Sequence, residues 1–351
     1  MKIYVCMITL LSLVVSTAVA QTAKITFYIV DEDGQSISNA SVGTSTPIRQ
    51  RDMFNVSPAK RNRLSRGVSD TNGIAVLTIE SDYGSVAYGA DGDRGDAPNT
   101  FGIMKINGVI YYGDRGGRIE FTNQVSDRWQ PWNPTIELSL RRILNPIPMY
   151  VKDMRMDVNP FPALDENLGY DLEKGDWLSP YGIGQIADFI FQVHCDWSEG
   201  KSPYGEQYYH ATLELTFSNE DDGIIEFRDS QPELEGSIFR LSRFAPESGY
   251  TNRWFAERFT NKEGSTLATI SQRKDLNYFF RVRTKKDETG KIVSAHYGKI
   301  RGPLDFGFRG KRNGLGMTYY LNPTPNDRNM EFDPNRNLFT GLKVGEEVHD
   351  P

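Results

Sequence analysis

The stretch Tyr278–Ile300, YFFRVRTKKDETGKIVSAHYGKI, decides the fold class of this chain. Tyr278, Phe280 and Val282 share one face of an extended segment, and Val293, Ala295 and Tyr297 share one face of the next, a period of two that only a strand satisfies. Between them Asp287-Glu288-Thr289-Gly290 supplies a turn in which glycine adopts positive φ at no steric cost, so the stretch reads as a β-hairpin.

The same grammar extends in both directions. Asp188 to Trp197 places Phe189, Phe191, Val193, Cys195 and Trp197 on one face, and His210 to Phe217 does so for Leu213, Leu215 and Phe217. Nearer the start, Ile25, Phe27 and Ile29 alternate, as do Ile136, Leu138 and Leu140. Asp33-Gly34, Asn72-Gly73, Asn107-Gly108 and Asp222-Gly223 punctuate the runs, and no stretch sustains apolar spacing at three and four residues. Short strands with such turns predict an all-β protein, a β-sandwich followed by a larger β-sandwich or jelly-roll-like domain.

Ile143-Leu144-Asn145-Pro146-Ile147-Pro148 marks the boundary, because closely spaced prolines do not continue a central strand. The expected division is a first domain over 21–142, a Pro-containing linker over 143–150, a second β-rich domain over 151–340 and a tail over 341–351. The segment from Asn322 onward lacks period and reads as loop or tail laid over the second sandwich. Arg49, Arg51, Lys60, Arg61, Arg63 and Arg66 read as a solvated basic loop, with anion binding as the alternative.

Residues 1–20 have the form of a secretory signal peptide: Lys2, an apolar run Ile8–Val15, then Ala18-Val19-Ala20 before Gln21. Cys6 stands ahead of the apolar run, where it does not suit a lipoprotein anchor. Cleavage leaves 39 basic against 46 acidic residues and one cysteine, Cys195, so no intramolecular disulfide can form. The expectation is an exported bacterial protein of the periplasm or medium, without a later membrane segment, stabilised by burial. Mild acidity argues against nucleic acid as a partner.

A resemblance enters at Ile25–Ile79. Asp31-Glu32-Asp33-Gly34-Gln35-Ser36-Ile37, then Asn39-Ala40-Ser41-Val42, then Ser69-Asp70-Thr71-Asn72-Gly73-Ile74-Ala75-Val76-Leu77, resembles the carboxypeptidase regulatory-like domain, a transthyretin-like β-sandwich. The likeness covers at most a third of the chain and rests on turns and core positions. It implies an accessory, adhesive or carbohydrate-binding-like module beside another domain. Residues 145–351 are similar to uncharacterised exported bacterial proteins through Gly169-Tyr170-Asp171-Leu172, Gly175-Asp176-Trp177 and Pro180-Tyr181-Gly182, which implies nothing about chemistry.

Several catalytic patterns are absent. His194 and Cys195 are neighbours on a strand and project to opposite faces, so they form no dyad, and Cys195 reads as a small core hydrophobe. There is no HExxH, and His210 and Glu214 stand about 13 Å apart along a strand, too far to share zinc. By phase, His194, His210 and His296 point away from the apolar faces. No Gly-x-Ser-x-Gly elbow or P-loop occurs, and no cofactor is expected. Asp91, Asp93 and Asp96 alternate with glycine and form a calcium candidate that lacks EF-hand spacing.

What remains is Asp171 to Tyr181. Asp171, Glu173 and Asp176 mingle there with Trp177 and Tyr181, a composition in which rings stack on sugar faces while acids bind hydroxyls. The same residues equally suit a loop closing the end of a sandwich. Trp129 and Trp132 invite both readings, with the loop favoured because the segment leads straight into a core strand. The expected function is an exported non-catalytic binding or structural protein with glycan as the ligand this stretch would suit. The alternative is a carbohydrate-active hydrolase using paired carboxylates of the second domain.

Overall fold

A computed structural model of the chain describes residues 21–47, 62–81, 85–90, 103–114, 116–121, 123–125, 128–156, 159–201, 207–228, 237–260, 266–268, 276–309 and 312–351. Among these residues there is no helix, and so none long and apolar enough to cross a membrane. Asp91, Asp93 and Asp96 lie outside the described residues, as do Arg49, Arg51, Lys60 and Arg61.

The first sandwich comprises β1 (Gln21–Asp31), β2 (Ser41–Pro47), β3 (Asn62–Val68), β4 (Ile74–Ser81), β5 (Ser85–Ala90), β6 (Ile103–Ile106), β7 (Val109–Tyr112), β8 (Gly117–Glu120), β9 (Asn123–Val125), β10 (Arg128–Gln130) and β11 (Thr135–Arg142). One sheet runs β4-β1-β11-β7-β6, the facing sheet β3-β2-β5-β8, and β9 and β10 pair separately. The period-two residues Ile25, Phe27 and Ile29 meet Val42, Val86 and Leu138 between the sheets, all buried. At Gly73, φ is +73° and an added Cβ would lie 2.5 Å from the Ile29 carbonyl, so this turn demands glycine. The end of the basic stretch is a strand, not a loop. Asn62–Val68 pairs with β2 from Ser41↔Val68 to Pro47↔Asn62, and charged residues on an edge strand are compatible with pairing on its other side.

The second sandwich comprises β12 (Ile147–Met154), β13 (Asn167–Asp171), β14 (Asp176–Trp177), β15 (Phe189–Lys201), β16 (Gln207–Thr216), β17 (Gly223–Arg228), β18 (Arg253–Thr260), β19 (Thr266–Ala268), β20 (Leu276–Lys286), β21 (Ile292–Arg309), β22 (Arg312–Asn322) and β23 (Phe332–Asn337). The sheets run β17-β20-β21-β22-β12-β23 and β14-β13-β15-β16-β18-β19. The expected hairpin is β20–β21, closed by the turn in which Gly290 N donates to Asp287 O. Phe189, Phe191, Val193, Leu213, Leu215, Tyr278, Phe280, Val282 and Tyr319 fill the space between the sheets. Each such side chain contributes about 1.5–3 kcal/mol by burial.

Three expectations need correction. Residues 147–150 are not linker but the start of β12. Pro148 is tolerated because the ladder with β22 begins only at Tyr150, and the register with β23 shifts between Ile147 and Met149. Residues 332–337 are a strand rather than loop; Asp333, Pro334 and Asn335 hide its period because it is an edge strand. The tail over 341–351 is docked, with Val348 buried beside Met149, Phe279 and Tyr320. That second cluster, with Leu241, Ala245 and Met330, covers the outer face of the β17–β23 sheet, so Phe279 is buried as fully as Tyr278 and Phe280. A strand packed on both faces loses its alternation.

Candidate functional site

A dense polar construction lies where β13 ends, β14 and β15 begin, and the last residues of β20 pass beside them. Leu172–Gly175 turns β13 into β14, and Asp171 caps the turn by accepting Glu173 N at 3.0 Å and Lys174 N at 3.1 Å on Oδ1. Its Oδ2 accepts Gln185 N at 2.9 Å and Ile186 N at 3.1 Å. Asp176 Oδ2 accepts Ile183 N at 2.9 Å, and Gly184 N donates to Trp177 O at 2.8 Å. Residues 178–187 are thus a loop whose backbone is tied down by two carboxylates and a carbonyl. It lies so close to β14 that a Cβ on Gly182 would stand 2.4 Å from Trp177 O.

Arg283 underlies this loop. The ladder between β20 and β21 shifts after Val282, and Arg283 takes φ +56°, a bulge that turns its guanidinium sideways. Asp222 holds the bulge by accepting Arg283 N and Thr284 N, each at 2.9 Å. Arg283 Nε and Nη2 then donate to the two oxygens of Asp188 at 2.8 and 2.9 Å, Nη2 also reaches Asp171 at 3.3 Å, and Nη1 meets Glu173 at 2.5 Å. His296 Nδ1 is 3.9 Å from the same Glu173 oxygen.

Burial raises the Asp188 carboxyl above the ordinary carboxylate range, and Arg283 only partly offsets this. Burial also acts to raise Asp171, but amides from Gln185, Ile186, Lys174 and Glu173 outweigh it and leave the carboxyl low. Burial opposes the Arg283 charge, yet Asp188 and Glu173 hold it above its usual range. Burial and Arg283 push His296 down.

The five residues singled out from sequence therefore belong to one construction but play unlike roles. Asp171 is buried and fully engaged. Trp177 points inward, its ring 5.1 Å from Tyr170 and 6.0 Å from Phe191, because it pairs in register with Tyr170 on the core face. Glu173 is engaged by Arg283, and Asp176 sits at the loop's base. Only Tyr181, 41% exposed, faces solvent, with its hydroxyl donating to Glu166 at 2.8 Å. Beside it stand Ile183 at 74% and Ile186 at 46%, which carry no local sequence signal, nor do Asp188 and Arg283 as members of the site. An Ile-Gly-Gln-Ile run has no period, and Arg283 lies 95 residues from Asp188.

The remaining candidates fall elsewhere. Cys195 packs against the core, and burial pushes its thiol up to about 12. His194 and His210 are on the surface as phase required, whereas His296 is half-buried beside Glu173. Trp132 is exposed, and Trp197, expected in the core, is exposed where the sandwich opens beyond Tyr209 and Phe308. An open groove of about 410 Å³ lined by Met154, Met156, Pro303 and Met317 lies apart from the loop; at its rim Arg301 pairs with Asp350 and Asp305 with Arg258. Among the described residues no three His, Cys, Asp or Glu side chains are grouped to hold a metal ion.

No family model matches the chain, and no curated protein matches it. Among solved structures it is similar to a DUF3823 family protein from Parabacteroides merdae, at 6% identity and TM-score 0.19 over 90% of this chain and 100% of that one. It is also similar to the full-length major pilin SpaD from Corynebacterium diphtheriae, at 10% identity and TM-score 0.21 over 84% of this chain and 91% of that one. The major pilin subunit BcpA from Bacillus cereus follows, at 9% identity and TM-score 0.19 over 91% of this chain and 97% of that one. At such TM-scores these likenesses carry nothing about the site.

Proposed function

We propose that the chain is an exported, non-catalytic binding or structural protein that recognises its ligand through the loop 178–187. The first sandwich, taken as a carboxypeptidase regulatory-like module over 21–142, serves as its companion. One observation carries the reading: Tyr181, Ile183 and Ile186 stand exposed on a loop fixed at its base by Asp171 and Asp176. A loop already ordered loses little conformational freedom on binding, so its apolar surface is available for affinity. The buried acids of this site are engaged in structural bonds. Asp171 accepts four backbone amides, and Asp188 takes both donors of a bidentate arginine.

Glycan is the ligand class we infer, with the Tyr181 ring as platform and Ser179 and Gln185 as exposed polar neighbours. Trp177→Ala is the wrong test, because it empties the core. Tyr181→Ala and Ile183→Asp change only exposed side chains and should leave the melting temperature nearly unchanged. On an array of plant, algal and bacterial polysaccharides the parent protein should bind and both variants should not. A blank array for the parent overturns the glycan reading, and binding that survives both substitutions overturns the loop.

A further inference from the structure

Of the eighteen strand pairings among the described residues, two are parallel. Each joins the first strand of a sandwich to its last: β1 to β11, and β12 to β23. Hairpins and meanders give antiparallel neighbours by default, and nothing about packing a sandwich requires its first and last strands to touch. The arrangement occurs twice, in two sandwiches whose sequences share no repeat.

From this topology we propose that the chain is built to carry tension between its ends. When two parallel neighbours are pulled, one from its N-terminal end and the other from its C-terminal end, they must slide past each other. Every hydrogen bond between them is then loaded together. Strands pulled from the same end unzip, losing their bonds in succession.

In the first sandwich the loaded register runs without a break from Thr26↔Thr135 to Asp31↔Leu140. β1 is also anchored on its other side by β4, from Gln21↔Ser81 to Tyr28↔Ile74, so it cannot leave without breaking two ladders. In the second sandwich β12 is held by β22 over Tyr150–Met154, while β23 is an edge strand. Ile147 N donates to Glu331 O at 2.8 Å and Leu338 N to Met149 O at 2.9 Å. The Asn337 side chain extends the pairing, with Nδ2 donating to Val151 O at 2.8 Å and Oδ1 accepting Val151 N at 3.2 Å.

The link between the two clamps is also held. Glu331 accepts Leu144 N at 2.8 Å and Asn145 N at 2.9 Å, and Asn329 Nδ2 donates to Asn145 O at 2.7 Å. Load leaving β11 therefore enters β12 through a connector fixed to Asn329 and Glu331, the residues that lead into β23. The longer, unbroken β1–β11 register makes the first sandwich the stronger unit and the second the first to yield.

Single-molecule force spectroscopy on the chain from Gln21 to Pro351 tests this. Handles at the two ends should give two unfolding events. Handles at Gln21 and at Thr135→Cys, an exposed position at the same end of the β1–β11 pair, load that ladder bond by bond. The first sandwich should rupture at several-fold lower force in the second geometry, and Asn337→Ala should lower only the weaker end-to-end event. Melting curves establish that each variant is folded before pulling. Equal rupture forces in the two geometries would overturn the proposal, because the β1–β11 ladder would then resist shearing no better than unzipping.

Discussion

Arg243 Nη1 lies 2.6 Å from Glu331 Oε2, and Glu331 is wholly buried where the two sandwiches meet. The same carboxylate accepts the Tyr112 hydroxyl at 2.9 Å, while Arg243 Nη2 donates to Glu32 at 2.9 Å, so strands of the first sandwich and the 237–245 segment of the second share one polar cluster. At its centre the Phe239 ring is approached by Arg141 at 4.3 Å, Lys299 Nζ at 4.9 Å and Arg243 at 5.2 Å. Lys299 is fully buried and donates to Met330 O at 2.8 Å, and burial pushes its amine well below the ordinary range.

Removing one member of such a cluster leaves the others desolvated. Breaking a buried ion pair costs about 3–5 kcal/mol, far more than the pair is worth relative to a hydrophobic substitute. Glu331→Gln keeps one acceptor oxygen but turns an NH2 group towards either Leu144 N or Asn145 N, which occupy different oxygens of the carboxylate, and withdraws the charge opposite Arg243. We expect a loss of about 3 kcal/mol in urea unfolding, with the connector amides exchanging faster with solvent. Unchanged exchange at 144 and 145 would show that the carboxylate does not hold the connector.

Arg283 makes a parallel case within the second sandwich. Arg283→Met strands Asp188, Asp171 and Glu173 against one another, and the expected loss is again about 3–5 kcal/mol. Adding Asp188→Asn removes the most buried of the three charges, so the double variant should recover some of the loss. A double variant less stable than Arg283→Met would mean that Asp188 is held by something other than its charge pairing.

Why was so much of the fold legible, and so little of this platform? Strands buried on one face write their period into the sequence, and Phe189, Phe191 and Val193 or Leu213 and Leu215 fell where alternation put them. Phe279 breaks the rule because its sheet is covered on both faces. β23 concealed itself behind Asp333 and Pro334 because an edge strand has only one neighbour to satisfy. The stretch Asp171–Tyr181 was located by composition, but phase alone did not tell that Trp177 turns inward. Arg283, Asp188 and Asp222 meet only through the bulge after Val282, and no local spacing encodes such a meeting.

The pH dependence of stability should carry the signature of His296. Its ordinary value is 6.5, and burial, then Arg283, lower it in the folded protein; Glu173 opposes this and Lys285 adds to it. The unfolded chain therefore takes up the proton more readily. Stability present above 6.5 is lost as pH falls from there towards the folded value. Urea midpoints at about pH 7.5 and about pH 5.5 should differ more for the parent than for His296→Gln, in which the other histidines are unchanged. Equal differences in the two proteins would exclude His296 as the source.

Gly182→Ala isolates the loop from the ions beneath it. Gly182 is not in the left-handed region, so the substitution introduces no backbone strain of that kind; its effect is purely one of approach. The new methyl would lie 2.4 Å from Trp177 O and 2.6 Å from Asp176 Oδ2, and neither can yield freely, because the first accepts Gly184 N and the second accepts Ile183 N. The loop must lift off β14, breaking bonds on either side of Ile183. Overpacking of this kind costs about 1–3 kcal/mol, and the loss should appear as a lowered melting temperature. Hydrogen exchange at Ile183 and Gly184 should quicken, while the β20–β21 hairpin keeps its protection. Exchange that rises equally throughout the second sandwich would mean that the loop is not a separate unit but belongs to the core's cooperative fold.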